Sequence, residues 1–342
     1  MQPRHIVPFD LFSMREDVRV SSLVRVGEQG WTCGQCPLDT HAHVIAPHDL
    51  TAQAASVCSM ISTVLERGGF SPHHAAQLIL YHAAPSAHAL TDALNIFRQA
   101  FPHGPAILPV AVPYFYYEGM LLEVDVFADQ TVVPSENAIP EGVQVLDGET
   151  FSYLTVQGRE PSAIDAAYEA LGLSPNAILQ EVRFGPATLR AGELEPSSPS
   201  LVQSITTCAA AFGPDLYQAA LIVSRNEPVR AERTHDGTMI REAADTVVLL
   251  SLPGRAQDDL VTQTRAAMHS LDQALTAKGL DWSHVVKISA PYVGDASAGA
   301  LHENLRVRHS FHAHPYPAST GLPVLGFATA GSRISLDVVA RR

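Results

Sequence analysis

Three times along the chain, apolar positions recurring every three or four residues give way to a glycine, a large apolar residue, a short polar turn and a β-branched apolar run. The stretches are VLERGGFSPHHAAQLILYHA (64–83), AYEALGLSPNAILQEVRFGP (167–186) and ALTAKGLDWSHVVKISAPYV (274–293). Each begins with the period of an amphipathic helix and ends with that of a strand. Gly69, Gly172 and Gly279 stand where a helix C-cap needs positive φ, with the next apolar residue covering the helix end. They lie about 105 residues apart, close to one third of the 342-residue chain.

Second helices are expected over Ala89–Phe101, Pro196–Ala211 and Ala300–His312, and closing strands over 121–128, 216–224 and 333–340. The unit reads β-β-α-β-α-β-β, with the middle copy abbreviated at its start. Two helices cover one face of a sheet, and the other face must be buried elsewhere. Three units can bury those faces against one another, which predicts an α+β pseudo-trimer within one chain. The Pro-containing stretch 130–142 and the polar stretch 225–238 read as linkers, dividing the chain into 1–130, 131–234 and 235–342.

Composition removes several function classes. With 35 acidic and 22 basic side chains the net charge is −13, and no basic stripe exists, so nucleic acid is not an expected partner. No apolar run approaches the roughly 18 residues of a membrane span, and the N-terminal stretch lacks the apolar core of a signal peptide. The cytoplasm is the expected compartment, and four scattered cysteines fit a reducing one. Lys278 and Lys287 are the only lysines, which excludes a mechanism repeating a Ser/Lys pair in each of three units. Phosphate loops, zinc-protease motifs, nucleophile elbows and dinucleotide fingerprints are missing from the sequence, so no cofactor is expected.

CGQCPLD (33–39), the helix opening DLTAQAASVCSMISTVL, ALNIFRQAF (93–101), PAILPVAV and LLEVDVFA together resemble one protomer of the RidA/YjgF family, whose pattern runs SGQ-x-PLD, VN-x-x-Y-x-x-FF, PAR and E-I-E-x-x-A. DLVTQTRAAMHSLDQALTAKGLDWSHVVKIS (259–289), ENLRVRHSFHAHPYPAST (303–320) and ISLDVVA resemble it again, whereas the middle copy matches by pattern alone. The resemblance implies a fused counterpart of a homotrimer with small-molecule sites at its interfaces, and hydrolysis of enamine or imine intermediates. The family's carboxylate-binding Arg falls on Ile107 and Ser319, its Tyr near Val20, and its SGQ serine on Cys33. Its helix Asn is kept as Asn95 and Asn304; its first strand Glu is kept as Glu123 and becomes Ser335 in the third copy. Ordinary imine deamination therefore lacks its usual guanidinium.

Cys33-x-x-Cys36 followed by His41 and His43 suggests a metal or redox site, but side chains three apart on a strand point to opposite faces, and no second CxxC exists. No metal is expected. Cys33 is instead a candidate nucleophile or polar contact and Cys36 a core or turn side chain; Glu123 is the candidate acid or base if an interface desolvates it. Substrate-binding candidates are Asn95, Tyr114, Tyr116, Asn304, Arg306, Ser319 and Thr320. Arg306 with His309 shares one helix face and Arg308 with His312 another, and either pair could replace the missing Arg. These readings predict a biosynthetic enzyme, of secondary metabolism, that hydrolyses, tautomerises or cyclises a reactive enamine, imine or enol. Alternatives are a chorismatase-like hydrolase or lyase and a non-catalytic binding protein. A monomeric pseudo-trimer or its homodimer is the expected assembly.

Overall fold

The computed structural model describes residues 4–186, 204–207, 216–251, 258–294, 298–327, 329 and 331–342. The first unit contains β1 (Arg4–Pro8), β2 (Ser21–Val26), β3 (Gln29–Thr32), α1 (Leu50–Arg67), β4 (Ala75–His82), α2 (Ala87–Ala100), β5 (Ala106–Ala111) and β6 (Leu122–Asp129). The second contains β7 (Val133–Pro134), β8 (Val143–Asp147), β9 (Phe151–Gly158), α3 (Ser162–Ala170), β10 (Ile178–Gly185), β11 (Ser204–Thr207) and β12 (Tyr217–Ser224). The third contains β13 (Arg230–Arg233), β14 (Met239–Ala243), β15 (Thr246–Ser251), α4 (Leu260–Ala277), β16 (Val285–Tyr292), α5 (Ala298–His309), β17 (Ala318–Pro323), β18 (Gly326–Phe327) and β19 (Leu336–Arg341).

The first and third sheets share one order, β1-β2-β3-β6-β4-β5 and β13-β14-β15-β19-β16-β17. The second runs β18-β11-β10-β12-β9-β8-β7 and so borrows its β18 edge from the third unit. The middle copy is not abbreviated at its start, because β8 and β9 form its leading hairpin; its first helix is the short element, nine residues against eighteen in α1 and α4. Of the helix expected over 196–211, residues 204–207 are a strand parallel to β10 and the rest lies outside the described residues. β13 already pairs in the third sheet, so that sheet takes in residues the linker-based division leaves with the second unit.

Local chemistry sets these elements. Asp49 and Asp259 accept the backbone N–H of Ala52 and Thr262 at 2.9 and 2.7 Å, starting α1 and α4. Gly69, Gly172 and Gly279 take φ of +75°, +63° and +70°. The following N–H of Phe70, Leu173 and Leu280 reaches back to the carbonyl of Leu65, Tyr168 and Leu275 at 2.8, 2.9 and 2.9 Å, closing each helix end.

The units meet through their sheets. Val24, Trp31, Phe127, Tyr153, Leu179, Ile222, Val248, Val286 and Val339 form one apolar cluster drawn from all three. Full burial of such a side chain is worth roughly 1.5–3 kcal/mol, so this shared cluster holds the units together. Each of β4, β10 and β16 carries a bulge at the same place, which turns Gln77, Gln180 and Lys287 into equivalent positions near the shared axis. Each reaches into the next unit. Gln77 Nε2 donates to the carbonyls of Leu154 and Leu221 (2.7 and 3.2 Å), Gln180 Nε2 to Asp337 Oδ2 (2.9 Å), and Lys287 Nζ to Asp125 Oδ1 (2.7 Å). The contacts run first to second, second to third and third to first, closing a pseudo-threefold ring.

Candidate active site

Counting four residues past each bulged position gives Tyr81, Phe184 and Pro291, which stand opposite Glu123, Gln218 and Ser335. These three strand positions are equivalent, and only the first is acidic. Glu123 lies in a cleft walled by the first and third units, with an enclosed space of about 60 Å³.

On the first unit's side, the chain leaves β3 at Thr32 and pairs again through Gln35, whose N–H and carbonyl bond Val124 at 2.8 and 3.0 Å. This interruption corrects the strand expectation that sends Cys33 and Cys36 to opposite faces: both line the cleft. A Cβ on Gly34 would lie 1.8 Å from Glu123 Oε1, so only glycine leaves room for the carboxyl. Burial, then the charge of Asp125, raises Glu123 to about 8, against the opposing pull of Lys287 and a hydrogen bond with Cys36. At neutral pH Glu123 is therefore largely a neutral acid with a proton to give. Burial pushes the Cys33 thiol up to about 12, and Gln35 Nε2 lies 3.3 Å from its sulfur. Cys33 thus presents an S–H to the cleft rather than a reactive thiolate.

On the third unit's side, α5 and β17 supply Leu301, Leu305, Arg308, Ser319, Gly321 and Pro323. Arg308 is 1% exposed. Its Nε donates to Asn304 Oδ1 at 2.6 Å and its Nη1 to Ser319 Oγ at 2.9 Å, while Nη2 has no partner among the described residues. A Cβ on Gly321 would sit 3.1 Å from that nitrogen. Burial lowers Arg308 to about 10, which leaves it charged at neutral pH. Both bonded partners are neutral, so the guanidinium is held buried with its charge unmatched by any bonded carboxylate.

Loops close the remaining sides. Phe9, Phe12, Met14, Val18 and Val20 come from the β1–β2 connection, and Phe115, Tyr116, Tyr117 and Met120 from the β5–β6 connection. The Tyr116 ring stacks on Tyr292 at 6.2 Å. Glu16 pairs with His302 (3.1 Å) and Arg306 (3.3 Å) of α5, so the β1–β2 connection straps the cleft across the unit boundary.

The remaining candidates fall elsewhere. Asn95 is exposed on α2 and accepts from Arg98 at 3.1 Å. Arg306 is exposed and paired with Glu16 outside the cleft. Tyr114 packs edge-on against Tyr116, 5.4 Å between centroids. Thr320, one residue beyond Ser319 and so on the other face of β17, binds Lys287 and Asp125 near the axis. Asn304 is buried and accepts from Arg308 rather than lining the cleft. His41 and His43 sit around half-buried Asp39 and form no metal-binding group with the buried cysteines among the described residues. The sequence offers Arg308 only as half of one of two alternative pairs on α5; burial, which periodicity leaves open, singles it out.

Fold and cleft together define an α+β protein of three like sheet-and-helix units fused in one chain. No protein family and no curated protein matches it at the level of sequence. Among solved structures, chorismatase is similar over 78% of this chain and 93% of its own, with TM-score 0.55 and 10% identity. A putative endoribonuclease L-PSP from Entamoeba histolytica covers 37% of this chain and 99% of its own at 21% identity and TM-score 0.33. A YjgF-family member from Mycobacterium tuberculosis covers 37% and 99% at 19% identity and TM-score 0.30. At these identities the likeness is one of fold. No helix among the described residues is long and apolar enough to cross a membrane.

Proposed function

We propose that the protein is a hydrolase for a small carboxylate-bearing enamine, imine or enol ether, with Glu123 as proton donor and Arg308 as the carboxylate's counter-charge. The observation that carries this reading is one cavity lined by both a carboxyl raised to about 8 and a fully buried guanidinium with an unpartnered nitrogen. Arg308 takes over, from the helix, the charge that the family pattern places at Ser319. Ser319 remains as its hydrogen-bond partner.

For a substrate C=C–X, where X is nitrogen or oxygen, Glu123 gives its proton to the terminal carbon and positive charge develops on the carbon bearing X. Water adds there and returns a proton to the Glu123 carboxylate. The resulting carbinol collapses to C=O as H–X departs with the hydroxyl proton. Water is consumed, no redox change occurs, and Glu123 ends protonated. The carboxylate held by Arg308 fixes the reacting carbons beside Glu123, and the apolar straps keep other water away. The similarity of fold to chorismatase supports the oxygen case, an enol ether.

The test measures release of the keto acid from 2-imino acids generated in place by an amino-acid oxidase, and from enolpyruvyl ethers. Acceleration over buffer that is lost in Glu123→Gln supports the reading. Equal rates with and without protein overturn it and favour a binding protein.

A further inference from the structure

A second cavity, of about 40 Å³, lies on the pseudo-threefold axis. At roughly 10–15 Å³ per water-sized centre, it has room for about three heavy atoms. Asp125, Asp337, Gln77, Gln180 and Ser289 are polar members of its lining, and Ile79, Val182 and Leu322 are part of its apolar wall. Asp125 and Asp337 occupy equivalent positions, opposite Ile79 of β4 and Ser289 of β16. Their partners differ in charge. Asp125 meets the Lys287 ammonium at 2.7 Å, whereas Asp337 meets the neutral amide of Gln180 at 2.9 Å.

Asp337 Oδ1 and Gln180 Oε1 have no hydrogen-bond partner among the described residues, and the two residues are only 5% and 7% exposed. Two buried acceptors thus line one small space, and acceptors left so are costly. Burial raises Asp337 to about 6, against the opposing hydrogen bond from Gln180 and the charge of Lys287. Its second oxygen still lacks a donor, and a charged N–H is the strongest it could take. A hard metal ion needs six or more oxygens, which an apolar wall cannot supply. A primary ammonium needs only a few acceptors and can carry an apolar tail.

We infer that the axial cavity binds a small primary alkylammonium ion, its NH₃⁺ donating to Asp337 Oδ1 and Gln180 Oε1 and its carbons lying against Ile79, Val182 and Leu322. Ethylammonium, with three heavy atoms, matches the space. The inference goes beyond the reading of the cleft and stands without it.

The experiment titrates the full chain, with isotope-labelled Ile, Leu and Val methyls, with ethylammonium chloride at pH 7.5. Saturable shifts at Ile79 and Val182, with through-space contacts from the ligand methyl, are expected. Asp337→Asn should weaken binding at least tenfold, and tetramethylammonium, which has no N–H, should not compete. Absence of saturable shifts at these methyls, contacts confined to the surface, or unchanged affinity in Asp337→Asn overturns the inference. Should Asp337→Asn not fold, the wild-type contacts and the tetramethylammonium competition decide the question.

Discussion

Opposite the residue four past the bulge, the cleft between the third and first units carries Glu123, and the cleft between the first and second carries Gln218. The facing walls differ in the same sense. Where the first cleft has Ser319 and Gly321 beneath Arg308, the second has Ile107 and Pro109, and Gln99 falls at the Arg308 position of its helix. Gln218 Nε2 donates to the Pro109 carbonyl at 2.6 Å, and Gln144 bonds both the N–H and the carbonyl of Ile107 at 3.1 Å. One cleft holds an acid and a guanidinium with unused capacity; the other spends its polar groups on stitching two units together. In the third cleft Ser335 stands at the Glu position, and much of the facing second-unit wall lies outside the described residues. Fusion frees equivalent positions to diverge, so one interface can keep reactive groups while another is committed to assembly.

The sharpest way to break this comparison is to exchange its acids. Glu123→Gln should lower kcat by about 10²- to 10⁴-fold, the usual reach of a general acid, with an unchanged circular dichroism spectrum. Gln218→Glu should create no activity in that background. Rescue there would show the clefts to be interchangeable and sink the assignment.

Arg308→Met should cut kcat/KM by about 10- to 100-fold, the loss expected from one charged hydrogen-bonding contact of about 1.5–3 kcal/mol. Because the guanidinium is buried without a bonded carboxylate, the same change should raise the thermal midpoint. A variant that is less active and less stable would mean that Arg308 is a structural strut.

Glu123 also predicts a pH dependence whose sign follows from its raised value. Its folded pKa of about 8 exceeds the ordinary 4.5, so between those values the folded state holds the extra proton. This stabilisation is fully present below about 4.5 and is lost as pH rises through 8, at no more than about 1.4 kcal/mol per pH unit. The thermal midpoint of the wild type should therefore fall more steeply from pH 5 to 8 than that of Glu123→Gln, and kcat/KM should decline above about pH 8. Parallel stability curves would place the raised carboxyl elsewhere.

The repeat, the glycine caps and the α+β class were legible because they rest on local periodicity and turn chemistry, and Gly69, Gly172 and Gly279 take the backbone their positions require. The start of the middle copy does not show in the pattern, because β8 is five residues of mixed exposure beside a Pro-containing stretch. Within the cleft, Glu123, Cys33 and Ser319 can be picked out by motif position, and Tyr116 by its hydroxyl-bearing ring in a loop between two strands. Arg308 over Arg306 cannot, since both lie on α5 and only packing against Ser319 and Gly321 distinguishes a buried guanidinium from a solvated one. The placement of Thr320 on the axis follows from strand alternation, which turns it away from the face that Ser319 presents.

The smallest expected effect tests the stitched cleft. Gln144 is exposed, so its two bonds to the Ile107 backbone are partly replaceable by water, and Gln144→Ala should cost only about 1 kcal/mol. For a chain of this size that corresponds to a fall of about 2 °C in thermal midpoint. Activity should not change, because Gln218 stands at the acid's position there and the guanidinium lining that space, Arg98, is exposed and bonded to Asn95. Loss of turnover from Gln144→Ala at unchanged stability would place the substrate between the first and second units, and the contrast between the two clefts would then have to be reversed.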